Sequence, residues 1–436
     1  MTRAIHSGPS GSHLLVEESH ALPLIQFNLT LRTGSVFDPP GKEGLYRLCA
    51  RMVRMGTRRL QSEAVEDAID AMGAHLSIGI GPGDCHFSGS VVARNLEPFL
   101  ALLGSLLSAP AFRARDLGQL KRETIAALES ALDDDSALAG RHFRRLALPN
   151  HLYGRATMGT RASVTTIERS DIVKHYAKHM VGENALFGFS GPISTGQAQA
   201  LCQKHFGFLV PGSRLQLDIP APKLARGRRL FVVDKPERTQ TQILIGTTGS
   251  RVKDRDHVPL VVANTAFGGL FTSLLTREVR GKRGWSYGAS SGLGNQIQRD
   301  LWSMRTFPAE KDAHDCIALQ LRLLEQWIER GVSSKDLRLA KDYLVKSHPF
   351  ELDTSQKRLE QALDEILFEL PKGYSRHFPE RVAMVDKEAA HEAVKRRISA
   401  RDQLIVVVAT ASHVVSQLQR LPNLTDVQVI PFDQGW

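Results

Sequence analysis

The fold is decided by the stretch Gly44-Leu45-Tyr46-Arg47-Leu48-Cys49-Ala50-Arg51-Met52-Val53-Arg54-Met55-Gly56-Thr57. Taken alone, this stretch is typical of an amphipathic helix, in which Arg47 and Arg51 lie one turn apart on the same face. An arginine stays protonated and offers hydrogen-bond donors only, so neither side chain can be a metal ligand. The helix therefore carries two positive charges at a spacing that paired histidine ligands use elsewhere.

The same stretch resembles the setting of the inverted zinc motif in the pitrilysin and mitochondrial-processing-peptidase family, G-L-x-H-x-x-E-H-M-x-x-x-G-T. In that family the two His bind zinc and the Glu is the general base. Here Arg47 and Arg51 take the His positions and Ala50 takes the Glu position, while the family's third ligand, a Glu on a later helix, falls on Ala127. The resemblance implies a degenerate site without metal in this chain. An ordinary amphipathic helix that never held metal is the alternative.

A second motif lies at residues 267–287 and reads F-G-G-L-F-T-S-L-L-T-R-E-V-R-G-K-R-G-W-S-Y. It resembles the family's G-G-x-x-S-x-L-x-x-x-L-R-x-x-x-G-x-x-Y, whose Arg and Tyr hold the substrate backbone across the cleft from zinc. These positions fall on Arg280 and Tyr287, where a guanidinium suits a peptide carbonyl and a phenol suits a developing oxyanion. A surface charge and a core aromatic are the alternatives. Gly268 and Gly269 are grouped with the substrate-binding residues and predict close backbone approach or a helix start, because no phosphate-loop G-K-[ST] follows.

Two strand patterns recur at nearly one offset along the chain. The alternating segment 23–35 is repeated at 240–250, and the apolar segment 185–190 is repeated at 404–409, each of the latter followed by a helix-like run. Such a repeat indicates a duplicated domain. In the first half we predict helices and strands by hydrophobic period; the helices are 42–55, 62–73, 94–107 and 114–135, and the strands are 75–80 and 85–92.

The predicted organisation is an N-terminal peptidase-like domain at 1–212 with the degenerate zinc site, a Pro- and Gly-punctuated linker at 213–228, and a homologous C-terminal domain at 229–436 with the Arg and Tyr motif. Strands and helices are segregated instead of alternating regularly. This predicts an α+β fold with two duplicated domains, each a mostly antiparallel sheet packed with helices.

Composition excludes several classes of protein. The formal charge is +10, but basic and acidic residues are mixed and nucleic-acid-binding signatures are absent, so a nucleic-acid partner is not expected. No apolar run approaches the roughly 18 residues of a membrane span. The N-terminus lacks an apolar signal region. This leaves the bacterial periplasm, if a signal peptide has been removed, or the cytoplasm.

The resemblance implies a zinc-free, substrate-binding subunit that is not catalytic alone. Its expected partner is a homologous H-x-x-E-H-containing subunit, which holds the zinc in a heterodimer that cleaves peptides. A peptide would add a strand to an exposed sheet edge, for which the segment 74–81 with Leu76 and Ile78 is the candidate. The alternatives are a structural or assembly subunit resembling respiratory-complex core proteins, and a standalone enzyme with a different site.

Overall fold

Each half of the chain forms a six-stranded sheet in the computed structural model, which describes residues 4–436. The first sheet has the order β1-β2-β6-β3-β5-β4, with strands β1 His6–Ser7, β2 His13–Glu18, β3 Leu24–Leu31, β4 His75–Ile80, β5 Cys85–Val92 and β6 Ala185–Gly191. The second has the order β12-β7-β11-β8-β10-β9, with strands β7 Arg228–Asp234, β8 Gln242–Thr248, β9 Ala289–Leu293, β10 Leu301–Thr306, β11 Leu404–Ala409 and β12 Leu424–Pro431.

The two sheets share one topology. In the first, β2 pairs in parallel with β6, and the strands from β6 to β4 pair antiparallel. In the second, β7 pairs in parallel with β11, and the strands from β11 to β9 pair antiparallel. The outermost strands differ, since β1 is antiparallel to β2 whereas β12 is parallel to β7. The predicted α+β fold with two duplicated domains is confirmed.

Helices cover both sheets. Those of the first half of the chain are α1 Leu45–Arg54, α2 Ser62–Ala71, α3 Leu96–Ser108, α4 Ala114–Ala131, α5 Asp135–Ala147, α6 Arg161–Thr166, α7 Arg169–His179 and α8 Thr195–Phe206. Those of the second half are α9 His257–Asn264, α10 Leu274–Thr276, α11 Ala313–Arg330, α12 Ser334–Ser347, α13 Ser355–Leu367, α14 Phe378–Met384, α15 Lys387–Arg397 and α16 Ala411–Leu418. The helices predicted in the first half match α1 to α4, with ends that differ by at most four residues.

The chain forms two compact units, and each unit includes a segment from the other half of the sequence. One contains residues up to 128, 155–218 and 350–375, and the other contains 129–154, 219–349 and 376–436. Helix α5 thus belongs with the second sheet, where it packs on β8 and β11, and α13 belongs with the first, where it packs on β2 and β6. This exchange was not predicted from the sequence.

Each unit has its own aromatic core. In the first, Phe27 of β3 stacks on Phe206 of α8 at 5.8 Å between ring centroids and meets Phe189 of β6 edge-on at 5.1 Å. In the second, Phe267 stacks on Trp327 of α11 at 4.4 Å. The central strands β6 and β11 are buried along their whole length, as expected for strands covered on both faces.

Among residues 4–436, one helical stretch is apolar and long enough to cross a membrane. This stretch was not predicted from the sequence. It runs from His257 to Gly281, but 61% of its apolar window is buried inside the fold. Such burial is typical of a core helix in a globular domain. The stretch contains two π-helical turns: Thr265–Gly269 overlaps the start of the second motif, and Arg277–Gly281 lies within it.

Candidate functional site

Helix α1 begins on a buried carboxylate. Asp38 is 3% exposed, and its two oxygens accept hydrogen bonds from the backbone amides of Gly44 at 2.9 Å and Tyr46 at 2.7 Å. Burial raises the pKa of Asp38 to about 7, against the lowering effect of these two bonds. Gly44 has φ of +92°, and a Cβ there would lie 2.7 Å from the carbonyl oxygen of Met158. Both the backbone conformation and the close approach of Met158 therefore favour glycine at this position.

The four positions of the degenerate zinc motif have different environments. Ala50 is 4% exposed and packs in the core. Arg51 donates to Glu123 of α4 at 2.8 Å, one helical turn before the exposed Ala127. The fold thus brings the predicted third-ligand helix against the helix of the motif. Arg47 is half-buried, and burial together with the charge of Arg51 lowers its pKa.

The donor set at these positions does not suit zinc. Two guanidinium groups and two methyl groups provide no lone pair for a metal. Among residues 4–436, no group of three or more His, Cys, Asp or Glu side chains is arranged to hold a metal ion. The assignment of Arg47, Ala50, Arg51 and Ala127 as former zinc-site positions stays a prediction.

Arg280 is held between two exposed aromatic rings. Its Cζ lies 4.3 Å from the ring centroid of Phe271 and 4.4 Å from that of Tyr287. These rings are 70% and 78% exposed, so Tyr287 is not the core aromatic that the alternative required. The side chains of Arg280 and Tyr287 form no hydrogen bond or ion pair with residues in the described part of the chain, so their donors are not used within residues 4–436.

The neighbouring basic residues have carboxylate partners, unlike Arg280. Arg277 forms a two-point ion pair with Asp336 of α12, at 2.8 and 3.2 Å. Lys282 and Arg283 both bind Glu278, at 2.6 and 2.9 Å. The π-helical turn Arg277–Gly281 therefore fixes its other charges within the protein and presents one guanidinium. Turns of this kind occur often at functional sites.

Phe271 was missed by the sequence reading. The family motif leaves its position open, and the contact with Arg280 depends on the path of the chain between the two π-helical turns. The signal that the sequence did offer was a large aromatic between the Gly-Gly pair and the polar residues Thr272 and Ser273. In the structure that aromatic completes a three-residue stack, Phe271–Arg280–Tyr287, which we call the arginine stack.

The two glycines before the motif differ. A Cβ at Gly268 would lie 2.3 Å from Ser291 Oγ and 2.8 Å from Ser291 N, so the close approach to β9 requires glycine. A Cβ at Gly269 would meet nothing closer than 3.5 Å. Gly268 thus has a packing role, which is the close backbone approach predicted for it. Contact of either glycine with a substrate stays a prediction.

Strand β4 lies at the edge of the first sheet. Leu76 is 2% exposed, so its side chain faces the core, and its carbonyl oxygen already accepts a hydrogen bond from Arg54 Nη1 at 2.6 Å. Ile78 is half-buried. A peptide added to this edge would therefore meet the backbone beyond Leu76 and not the Leu76 side chain.

Two family models match the chain. One, described as Insulinase (Peptidase family M16), matches residues 14–161. The other, described as Peptidase M16 inactive domain, matches residues 166–344. The chain belongs to peptidase family M16. The two matches leave residues 1–13, 162–165 and 345–436 unmatched.

Relatives of this M16 chain include inactive proteins and subunits. The "Non-peptidase homolog YmxG" of Helicobacter pylori is 20% identical over 400 residues, which cover 91% of each chain. A "Probable mitochondrial-processing peptidase subunit beta" of Arabidopsis thaliana is 20% identical over 262 residues, covering 60% of this chain and 49% of that protein. The solved "peptidase M16 inactive domain from Pseudomonas fluorescens" superposes with a TM-score of 0.87 at 22% identity, covering 94% and 98%, and shows the shared fold. The model that matches residues 166–344 describes an inactive domain, and the Helicobacter pylori relative is named a non-peptidase; both names fit a chain without zinc of its own.

Proposed function

We propose that this chain is the zinc-free, substrate-binding subunit of a heterodimeric M16 peptidase. Its partner is a homologue that carries H-x-x-E-H and the zinc. The observation that carries the proposal is the arginine stack, because its guanidinium and its phenol lie side by side and neither has a hydrogen-bond or ion-pair partner among residues 4–436. A peptide site of the proposed kind uses both groups.

The chemistry of the stack fits peptide hydrolysis at a metal held by another chain. In the complex, Arg280 would donate its fixed N–H groups to a main-chain carbonyl of the substrate, and Tyr287 would donate its hydroxyl to the oxyanion of peptide hydrolysis. A zinc ion held by the partner would supply the activated water. The rings on either side leave the edge of the guanidinium open while they restrict its rotation. Binding a peptide then costs less side-chain entropy than it would with a free arginine.

Two sheet edges are available for the extended substrate. Strand β9 is the edge of the second sheet, and Tyr287 lies two residues before it. Strand β4 is the edge of the first sheet, where the backbone beyond Leu76 is the segment proposed to pair with a peptide. Edge pairing gives main-chain hydrogen bonds that do not depend on sequence, which suits an enzyme that accepts varied peptides.

Mixing experiments test the proposal. The purified chain, its H-x-x-E-H homologue and an equimolar mixture are assayed with an internally quenched peptide, with and without a chelator. We expect activity from the mixture that exceeds the sum of the separate chains and that the chelator abolishes. A stable complex in size-exclusion chromatography without any gain in activity would instead support the structural or assembly role.

Activity of the purified chain alone provides the remaining control. Hydrolysis that persists in the isolated chain in the presence of the chelator would show a standalone enzyme with a different site. The Tyr343→Phe variant serves as a matched control in these assays, because it removes an exposed phenol, 51% accessible, on α12 and away from the arginine stack in sequence.

A further inference from the structure

Arg47 is a half-buried cation that has no counter-ion in the part of the chain that the structure describes. Its Nε is buried and has no hydrogen-bond acceptor. Within residues 4–436, its side chain forms no hydrogen bond and no ion pair. The guanidinium of Arg51, one turn further along α1, adds repulsion and lowers the pKa of Arg47 together with burial. An arginine does not lose its proton in a protein, so the charge remains and no carboxylate of residues 4–436 offsets it.

The other two arginines of α1 are satisfied. Arg51 donates to Glu123 at 2.8 Å. Arg54 forms two bonds to Glu66, at 2.7 and 2.5 Å, and a third to the carbonyl of Leu76. The sequence of α1 thus places three guanidinium groups on consecutive turns, and the fold supplies carboxylates for two of them. A partly buried charge is ordinarily paired, so the third is available for an external anion.

We propose that Arg47 binds a carboxylate of a peptide ligand. A guanidinium presents parallel N–H donors that match the two oxygens of a carboxylate. Arg51 keeps its bond with Glu123, so it contributes its field and not a direct contact, while the Glu123 charge weakens that field.

The position of Arg47 favours a peptide as the source of the carboxylate. Helix α1 packs against β4, and Arg54 fastens the two elements by its bond to Leu76. A peptide paired with this edge would run close to α1. The choice of a peptide ligand rests on the proposed function, whereas the uncompensated charge of Arg47 does not. The carboxylate comes either from the C-terminus of the peptide or from an Asp or Glu side chain.

Fluorescence anisotropy with the isolated full chain tests the site. Three labelled ten-residue peptides share one neutral sequence: the first has a free C-terminus, the second is amidated, and the third is amidated but carries one Glu. We expect one of the two carboxylate-bearing peptides to bind about tenfold more tightly than the neutral one. This factor corresponds to about 1.4 kcal/mol, the contribution of one charge-assisted hydrogen-bonded pair. Whether the first or the third peptide shows the gain identifies the source of the carboxylate. Equal affinity for all three peptides would overturn the proposal.

Variants assign the effect to Arg47. R47Q abolishes the preference for carboxylates, and R58Q, which removes the same charge from an exposed position just beyond α1, keeps it. The melting temperature of R47Q without ligand should equal or exceed that of the wild type, because an uncompensated charge is removed. R47M, which keeps an apolar stem, provides a second variant should R47Q fold poorly. A carboxylate preference that survives in R47Q or R47M would overturn the proposal.

The outcome is separable from that of the proposed function. R280A should keep the carboxylate preference of the isolated chain, because the arginine stack is not part of this site. Intact preference with no gain of peptidase activity on mixing would count against the heterodimer and leave the Arg47 site standing. The reverse pattern would count against the Arg47 site alone.

Discussion

Replacing Phe271 by alanine removes one of the two rings that hold the Arg280 guanidinium. The ring lies 4.3 Å from Arg280 Cζ and is 70% exposed. A cation–π contact at an exposed site contributes about 0.5–1 kcal/mol, which corresponds to a factor of about two to five. We therefore expect kcat/KM of the complex with the zinc-bearing homologue to fall about two- to fivefold in F271A. The stability of the chain should change by less than about 0.5 kcal/mol, since the side chain is on the surface.

The substitution series separates the π interaction from simple bulk. F271W should keep or raise the activity, because indole is the best partner for a cation, whereas F271L keeps apolar volume and should behave like F271A. Activity is measured with the quenched peptide, and stability is measured by urea unfolding of the isolated chain. Full activity of F271L would refute the reasoning, and so would a loss in F271A as large as that in R280A.

Three further predictions concern the scaffold and the degenerate motif. D38A should lower the free energy of unfolding by about 1–2 kcal/mol in urea titrations, because α1 loses the acceptor of its first amides; an unchanged midpoint would contradict this role. Burial lowers the pKa of His175 to about 4 and that of His179 to about 3. Both rings are therefore neutral in the folded chain at a pH where they become protonated in the unfolded chain. The free energy of unfolding is fully retained above pH 6.5 and falls as the pH drops from there towards 4, by about 1.4 kcal/mol per pKa unit. Urea midpoints at pH 7.5 and 5 should differ less in a variant with both histidines changed to glutamine. A variant with the zinc ligands and base of the family motif carries R47H, A50E, R51H and A127E. It should bind one zinc per chain, as measured by elemental analysis. No bound zinc would count against the assignment of these positions to a former zinc site.

The helices and strands of the first half were predictable because each has a clear hydrophobic period. The exchange of α5 and α13 was not. Leu359 and Leu363 give α13 an apolar stripe, but a stripe states that a face is buried and not which sheet buries it. In the structure both leucines pack over Gly188 of β6, where a Cβ would lie 3.0–3.2 Å from their methyl groups. The sheet on which α13 packs is therefore set by tertiary contacts and not by the local sequence pattern.

In the candidate site, too, some residues could be predicted from the sequence and others depend on tertiary contacts. Arg280 and Tyr287 could be found because their spacing in the chain is fixed by the motif. Phe271 could not, since its stacking on Arg280 depends on the π-helical turns. The contrast between Arg51 and Arg47 was also beyond the sequence, because the carboxylate that satisfies Arg51 is Glu123 on another helix. Charge pairing between elements requires coordinates.

The turnover number of the mixed complex with R280A or Y287F in this chain tests the central claim most directly. If this chain supplies the groups that hold the substrate and stabilise the oxyanion at the partner's zinc, Y287F should lower kcat by about a hundredfold, the usual cost of one lost oxyanion-stabilising donor. R280A should also lower kcat, because the scissile bond is positioned less well when its main-chain carbonyl loses a donor. The affinity of the two chains for each other should not change, and Tyr343→Phe should leave kcat at the wild-type value. Wild-type turnover in both R280A and Y287F would contradict the assignment of a substrate-binding role to this chain.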